Sequence, residues 1–490
     1  MGSGITRLSK QSLIYGLGGL ASKLLGFVLL PIYTRYLSPA EYGVWSLLLI
    51  TGSVAATIAQ MGLGSALFME VSYREENRRA AEGTALLAIL VAAGALATAG
   101  SAFAESLSLA VFGGPEYARL LCLVLFASLL GAVDIVLLAR IRIEGRPGLF
   151  STIAVARFAL AAALNIYFIV GRRAGVEGLA LASLYTAALF SAGYIGVLVV
   201  RDGIAFSADA LRRMLRFGLP LVPANLAGMV LVSADRYFIE HYSSSEELGL
   251  YSLGYNIGLT INLAVQALQL AWPAHMFTLA KRPDAPEQFA RLLTYYLAIF
   301  GALCLVLCVF AREALIILAT PQFYGAAKVV PLIALSYVIY GAVFMTNTGL
   351  VLKEKTKYVA IFTAGAAIVN LGLNAVWVPR FGMMGAAWAT LAAYALLLLA
   401  QARANLRYLY VPYEYGRLLK VMVAGAIVYL ASTLVRFDSL VWAIGAKAAI
   451  MVLFPASLYM LRFFEPAEHA MLRRIFAPAL PLFRSGFPVR

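Results

Sequence analysis

Charged residues, cysteine and histidine are all scarce in this chain. Of its 490 residues only 13% are Asp, Glu, Lys or Arg, whereas an ordinary soluble domain carries about 25%. The three cysteines all lie in apolar stretches, and the three histidines show no metal-ligand spacing. The composition therefore excludes a soluble enzyme, a coiled coil and a disulfide scaffold, and it predicts no metal site.

Catalytic and nucleotide-binding motifs are also missing from the sequence. It contains no nucleophile–base pair and no P-loop, and its small-residue stretches do not follow a predicted strand. We therefore expect no enzymatic activity, no cofactor and no site at which ATP could drive a reaction.

What the sequence does contain is apolar residues, which make up 62% of it. A transmembrane helix needs about 17–25 mainly apolar residues to cross the hydrocarbon layer. Such runs predict an all-α polytopic membrane protein with fourteen transmembrane helices, at residues 11–33, 43–67, 83–103, 118–139, 149–170, 177–200, 215–237, 249–274, 291–311, 329–351, 358–378, 384–403, 418–435 and 441–461.

The distribution of Lys and Arg gives the expected orientation of these spans. The even-numbered connections and the two ends of the chain carry 27 of these residues, and the odd-numbered connections carry nine. Basic residues accumulate in cytoplasmic loops, so both termini are predicted to be cytoplasmic. The same rule accounts for the net charge of +15 without nucleic acid as a partner.

Two sequence landmarks recur at nearly the same offset. The pattern Glu-x-Gly-x-aromatic-Ser-Leu starts at Glu41 and again at Glu247, 206 residues later. A Gly-x-x-Gly pattern opens span 6 at Gly175 and span 12 at Gly382, 207 residues later. We therefore predict that spans 1–6 and 7–12 are two parallel copies of one unit and that two helices are appended to them.

This duplication predicts an N-terminal six-helix lobe at 1–205, a C-terminal six-helix lobe at 206–405, two appended transmembrane helices at 406–465 and a cytoplasmic tail at 466–490. Parallel repeats of this kind are typical of transporters that bind substrate between their halves. A channel or a membrane-embedded enzyme could also be duplicated, so the repeat favours transport without proving it.

Ionisable side chains inside predicted spans are costly and mark candidate functional positions. Lys23 lies in the middle of span 1, ~16 Å from either end at 1.5 Å per residue, and Arg157 lies well inside span 5. Their charge suits an anionic ligand such as a phosphate. Asp134 in span 4 could instead form a structural ion pair with either of them. Lys447, near the outer end of span 14, is expected to reach the membrane surface or lipid.

Span 8 carries a polar stripe of Asn262, Gln266 and Gln269, which share one face of a helix. Gln60 lies 206 residues before Gln266, so the two copies place the same amide at matching depth. Amides and tyrosines suit sugar hydroxyls and rings, although hydrogen bonds between helices would use the same residues. The further candidates for a substrate cavity are Asn225, Tyr337, Tyr340, Asn370 and Asn374.

Residues 22–43 resemble the opening of the polysaccharide transporter family, the Wzx-type flippases of the multidrug/oligosaccharidyl-lipid/polysaccharide superfamily. Residues 62–64, 235–237 with 250–253, and 373–385 agree with the same family. The sequence departs from the family pattern at Met69 and Glu70, where a basic residue is expected.

The resemblance implies two MATE-like lobes around a cavity of alternating access in a bacterial cytoplasmic membrane. It implies a monomeric flippase that moves an undecaprenyl-pyrophosphate-linked oligosaccharide to the outer leaflet for O-antigen or exopolysaccharide biosynthesis. Membrane lipid surrounds such a protein, and a polysaccharide polymerase or glycosyltransferases are candidate partners. The membrane potential or an ion would drive export.

Three other functions remain open at the level of sequence. A cation-coupled multidrug antiporter would use buried carboxylates, for which Asp134 and Asp235 are the candidates. A lipid II flippase also has fourteen spans, but the arginine pattern usual in its first span is absent here. A scaffold for a polysaccharide synthase would not need the polar stripe of span 8.

Overall fold

A computed structural model describes residues 28–74, 78–435, 437 and 439–465 of the chain. These residues form helices joined by short connections, and no strand occurs among them. The all-α class predicted from the apolar runs is therefore confirmed. Lys23 and most of predicted span 1 lie outside the described residues.

The division of the chain into two repeats stays a prediction, and we call the predicted lobes at 1–205 and 206–405 the first and the second repeat. The first repeat consists of nine helices in the described part of the chain, with a 3₁₀ turn at Pro115–Tyr117 and a π turn at Tyr167–Gly171. The helices are α1 (28–36), α2 (Pro39–Gln60), α3 (Leu63–Tyr73), α4 (Arg78–Ala102), α5 (Ala104–Phe112), α6 (Ala118–Gly131), α7 (Asp134–Ile143), α8 (Pro147–Ile166) and α9 (Gly175–Asp202).

The second repeat also has nine helices, and a 3₁₀ segment at Pro321–Lys328 interrupts them. They are α10 (Ala208–Gly218), α11 (Leu221–Tyr242), α12 (Ser245–Gly258), α13 (Ile261–Leu279), α14 (Ala285–Val309), α15 (Ala311–Leu318), α16 (Val330–Thr346), α17 (Thr348–Leu352) and α18 (Thr356–Asn405). The appended helices are α19 (Tyr415–Leu434), α20 (Leu440–Met451) and α21 (Leu453–Met460).

The described residues contain ten helices that are long and apolar enough to cross a membrane. The number rises to twelve when each of the bent pairs α10–α11 and α12–α13 is counted as one span. Helix α18 joins predicted spans 11 and 12, and its backbone is non-helical at Gly382. The multi-pass architecture is confirmed, and the exact number of fourteen stays a prediction.

Helices α2 and α12 begin in the same way, at the two copies of the Glu-x-Gly landmark. Ser38 caps α2 by accepting a hydrogen bond from the Glu41 amide, and the Ser38 amide in turn donates to the Glu41 carboxylate at 2.8 Å. Ser244 caps α12 by accepting from the Glu247 amide at 3.2 Å. Such caps satisfy amides that the first helical turn leaves without partners.

The glycines of the two landmarks bring the repeats into direct backbone contact. Gly43 of α2 faces Gly249 of α12, and a Cβ atom at Gly43 would lie only 2.8 Å from the Gly249 amide nitrogen. A Cβ atom at Gly249 would overlap the backbone of Pro39. Only residues without a side chain allow this approach, so the duplicated glycine forms the contact between the two copies.

The two landmarks of each repeat also contact each other. A carboxylate oxygen of Glu247 accepts a hydrogen bond from the Met383 amide at 3.0 Å, beside Gly382. In the first repeat the Glu41 carboxylate lies beside Gly175. Both glycines have φ of +54°, which strains other residues. Each repeat therefore uses one acidic residue to hold the start of its last predicted span.

The appended helices pack against α14 through an apolar cluster that includes Leu305, Val421 and Phe454. Lys447 of α20 is buried, and its ammonium donates to Glu313 at 2.6 Å and to the Val309 carbonyl at 3.0 Å. The expectation that Lys447 reaches the membrane surface or lipid is therefore wrong. A carboxylate on α15 offers it a closer partner, which sequence position alone did not reveal.

Candidate functional site

A cavity of about 780 Å³ lies between the two repeats, and we call it the inter-repeat cavity. Helices α2, α9, α11, α12, α13, α16 and α18 contribute to its wall. Its polar and aromatic side chains are Tyr33, Tyr42, Trp45, Ser46, Ser183, Asn256, Thr260, Asn262, Gln266, Gln269, Tyr337, Tyr340 and Tyr394. None of the described residues that line it carries a charge.

Two amide atoms of the α13 stripe are buried without a protein partner. Asn262 Oδ1 and Gln269 Nε2 have no hydrogen bond to any of the described residues, and both side chains line the inter-repeat cavity. A buried polar atom without a partner costs about 1–3 kcal/mol. An acceptor and a donor at the same wall are therefore suited to a ligand that carries hydroxyl groups.

Aromatic side chains of this cavity are held in fixed positions by their neighbours. The hydroxyl groups of Tyr337 and Tyr255 lie 2.6 Å apart, and the rings of Tyr340 and Tyr394 are 5.2 Å apart. A fixed ring offers a large apolar face at a small entropic cost. The predicted candidates Tyr337 and Tyr340 thus line the same cavity as the α13 amides.

A second cavity, of about 610 Å³, lies within the first repeat, and we call it the first-repeat cavity. Helices α2, α6, α7, α8 and α9 form its wall. Gln60, Asp134 and Arg157 all line it, and the latter two are the charged residues among those that do. The structure therefore brings together three residues that the sequence nominated from different spans.

Arg157 and Asp134 form an ion pair across the first-repeat cavity. The side chain of Arg157 keeps 37% of its surface exposed, and that of Asp134 keeps 15%. The partner anticipated from sequence is thus the one that Arg157 contacts. Because the pair lines an open space, a ligand could reach the guanidinium without unfolding the surrounding helices.

The two cavities adjoin. Leu49 of α2 and Ser183 of α9 line both of them, so a continuous wall connects the charged pocket of the first repeat with the neutral space between the repeats. The matched amides are divided between them, with Gln60 in the first-repeat cavity and Gln266 in the inter-repeat cavity.

Asp235, the other candidate carboxylate, is enclosed within the second repeat. Its oxygens accept hydrogen bonds from the Arg236 guanidinium at 3.1 Å and from the Tyr251 hydroxyl. The Arg236 guanidinium also donates to the Val232 carbonyl and lies 4.1 Å from the centre of the Tyr255 ring. This pair borders neither cavity through its charged atoms.

The remaining candidates do not line the two cavities. Asn225 is exposed on α11. Asn370 and Asn374 are buried within α18, where the Asn374 amide donates to the Asn370 carbonyl at 2.9 Å. They are separated from the amides of α13, so the structure does not gather all predicted polar residues at one site.

Several residues of the inter-repeat wall were not singled out from sequence. Tyr33 and Tyr42 come from the first repeat, as does Trp45, the aromatic residue of the first landmark. Asn256 donates to the Tyr42 hydroxyl at 3.1 Å across the two repeats. The Glu-x-Gly landmark could have pointed to these residues. It lies where the two repeats touch, and residues at that contact also border the cavity between the repeats.

A family model described as polysaccharide biosynthesis protein matches residues 8–272. A segment of 118 residues, 24% of the chain, is 27% identical to the Lsg locus putative protein 1 of Haemophilus influenzae and spans 29% of that relative.

Solved structures show the same fold. The lipid II flippase MurJ in an inward closed conformation superimposes with a TM-score of 0.67 at 14% identity, over 91% of this chain and 99% of that one. The Vibrio cholerae MATE transporter VcmN gives 0.55 at 15% identity, over 82% and 97%. A MATE family transporter of the MOP superfamily, in an inward-facing conformation, gives 0.58 at 17% identity, over 82% and 97%. Together with the family match, which covers more than half of the sequence, these findings show that the chain belongs to the polysaccharide biosynthesis protein family and has the fold of the MOP superfamily.

Proposed function

We propose that this protein is a flippase that moves an undecaprenyl-pyrophosphate-linked oligosaccharide from the cytoplasmic to the outer leaflet. The observation that carries the proposal is the pair of adjoining cavities, one neutral and lined by amides and rings, the other containing an arginine. A glycan attached to a diphosphate also has a neutral part, the sugars, and a charged part, the diphosphate. The family described for residues 8–272 supports polysaccharide biosynthesis as the process served.

The inter-repeat cavity suits the glycan. Sugar hydroxyls can donate to Asn262 Oδ1 and accept from Gln269 Nε2, two buried atoms that have no hydrogen-bond partner among the described residues. Sugar rings can stack on Tyr340 and Tyr394, which line the same space. A ligand that satisfies buried polar atoms gains more affinity than one that only fills volume.

The first-repeat cavity suits the diphosphate. The Arg157 guanidinium can donate two parallel hydrogen bonds to a phosphate, which an ammonium cannot do with the same geometry. Asp134 would compete with the phosphate for Arg157, so release of this carboxylate would accompany binding. Lys23, outside the described residues, remains a proposed second cation.

The membrane potential can drive export without ATP. A diphosphate carries roughly two negative charges, and each charge moved across 100 mV is worth about 2.3 kcal/mol. An inside-negative potential therefore favours outward movement by ~4–5 kcal/mol. Asp134 is the more accessible of the two proposed ion-coupling residues, because 15% of its side chain is exposed and only 2% of that of Asp235 is.

A substitution at Arg157 tests the proposal. In cells that depend on this protein for a surface glycan, Arg157→Gln should reduce export at least about tenfold, since loss of a charged hydrogen bond costs ~1.5–3 kcal/mol. The lipid-linked glycan should accumulate on the cytoplasmic side at unchanged protein abundance. The exposed Arg172 on the first repeat provides a matched control, and Arg172→Gln should export normally.

Other outcomes would point to other functions. Normal export by Arg157→Gln at normal abundance would remove the arginine from the transport path. Drug resistance that depends on Asp134 would favour a multidrug antiporter, and rescue of cells depleted of their own lipid II flippase would favour that cargo. Lipid-linked glycan that reaches the outer leaflet in a deletion strain would favour a scaffold.

A further inference from the structure

Helix α10, the first helix of the second repeat, has two different faces. Ala210, Met214 and Gly218 are buried on one of them, at four-residue intervals. Arg212 and Arg216 follow these positions by two residues, about 200° around the helix at 100° per residue, and both are exposed. The helix therefore presents two arginines on the side opposite to its contact with the protein.

The arginines of α10 place it at the edge of the membrane. Helices α10 and α11 are inclined to each other by 41°, and together they are long and apolar enough to form one membrane span. Three residues of α10 are arginines, namely Arg212, Arg213 and Arg216, and such charges are costly in the hydrocarbon layer. The part of α10 that carries them therefore lies at the level of the lipid headgroups, on the side that the distribution of basic residues predicts to be cytoplasmic.

Neighbouring basic residues at this level are neutralised by the protein itself. Arg213, also on α10, donates to Glu70 at 2.6 Å, and Arg78 donates to Glu144 at 2.5 Å. Although partial burial opposes the change, hydrogen bonds from Arg78 and Arg140 hold the pKa of Glu144 below its usual range. Arg213 and Arg78 thus each have a carboxylate partner within the protein.

Arg212 and Arg216 differ from these residues. Within the ranges 28–74, 78–435, 437 and 439–465, neither side chain has an ion pair or a hydrogen bond. Large apolar side chains are exposed at both ends of the helix, with Phe206 before its start at 59%, and Phe217 and Leu219 at its end at 41% and 48% of their surface. A short helix with exposed basic residues and exposed aromatic residues at its ends is typical of a protein at the boundary between lipid headgroups and acyl chains.

We propose that the exposed side of α10, where Arg212 and Arg216 lie between Phe206 before the helix and Phe217 and Leu219 at its end, binds the headgroup of an anionic phospholipid. The two guanidinium groups lie one helical turn apart and can share the phosphate oxygens of one headgroup or of two neighbours. The phenylalanines and the leucine contact the upper acyl chains. The proposal concerns the lipid of the leaflet and does not depend on the transported substrate.

Lipid binding by the full-length protein in detergent tests this proposal. The purified protein is titrated with phosphatidylglycerol or phosphatidylcholine, and bound lipid is counted by native mass spectrometry. Arg212→Gln/Arg216→Gln should weaken phosphatidylglycerol binding about twentyfold, from roughly fivefold for each arginine near an anionic surface. Binding of phosphatidylcholine should not change, and added salt should reduce the difference.

The matched control is Arg35→Gln/Arg172→Gln, which removes two exposed arginines from connections predicted to lie on the opposite membrane face. This variant should bind phosphatidylglycerol as the parent does. The thermal midpoint without lipid should be the same for both variants and the parent, which separates lost binding from lost folding. Equal phosphatidylglycerol binding by parent and α10 variant would overturn the proposal, as would an equal loss in the control. Retained lipid binding with loss of a co-purifying protein would assign the surface to a protein partner instead.

Discussion

The two repeats each contain an arginine–aspartate pair, and the pairs are placed very differently. In the first repeat Arg157 and Asp134 line an open cavity, and over a third of the arginine side chain remains exposed. In the second repeat Arg236 and Asp235 are adjacent in sequence, and their side chains are 7% and 2% exposed. The first pair can exchange a partner for a ligand, whereas the second is already fully surrounded by protein groups.

The two predicted repeats also differ at the positions that correspond to the open pair. The residues 206 positions after Asp134 and Arg157 are Tyr340 and Thr363, so the second repeat has no charge at either place. Tyr340 lines the neutral inter-repeat cavity. The predicted repeats therefore share the landmarks that join their helices, but they differ at the two charged positions of the first-repeat cavity.

The largest effect is expected from breaking the enclosed pair of the second repeat. Arg236→Met leaves the Asp235 carboxylate buried without its cation, and such a loss costs about 3–5 kcal/mol. The free energy of unfolding, measured by titration of the detergent-solubilised protein with dodecyl sulfate, should fall by this amount. If Arg236→Met lowered the free energy of unfolding by less than Arg157→Gln does, the distinction between an enclosed and an open pair would be contradicted.

An intermediate effect is expected where the repeats touch. Gly249→Ala places a Cβ atom against the backbone of Pro39, and such overpacking costs about 1–3 kcal/mol. The free energy of unfolding should fall by this amount, and transport should fall as well because α2 and α12 can no longer approach as closely. Gly196 of α9 has open space around it, so Gly196→Ala is the control and should keep normal transport. Equal activity of the two variants would show that the close contact is dispensable.

The smallest effect on stability is expected in the open pair. Asp134→Asn/Arg157→Gln should change the free energy of unfolding by less than about 1 kcal/mol, because a solvent-accessible pair contributes little. Transport by the double variant shows whether Arg157 binds the cargo or only balances the charge of Asp134. If the arginine binds the cargo, the double variant should be as inactive as Arg157→Gln alone. Recovery of transport in the double variant would instead show that the pair only balances charge.

The helical class and the family could be predicted from the sequence, and part of the site followed from helical spacing. Asn262, Gln266 and Gln269 line one cavity because residues three and four apart on a helix share a face. Trp45 and Asn256 were missed because their role depends on contact between distant helices. Asn370 and Asn374 were also predicted because they are polar residues within a span, but the Asn374 side chain donates a hydrogen bond to that of Asn370 within α18.

By itself, the order of residues determined which segments are helices that can enter a membrane and which motifs the two copies share. Those properties depend on local spacing and on the transfer of apolar side chains from water. Only the tertiary structure decided that Arg157 meets Asp134 beside a cavity, that Lys447 meets Glu313, and that Gly43 meets Gly249. Such pairings depend on how helices distant in sequence pack, and helix packing is set by the shapes of whole surfaces.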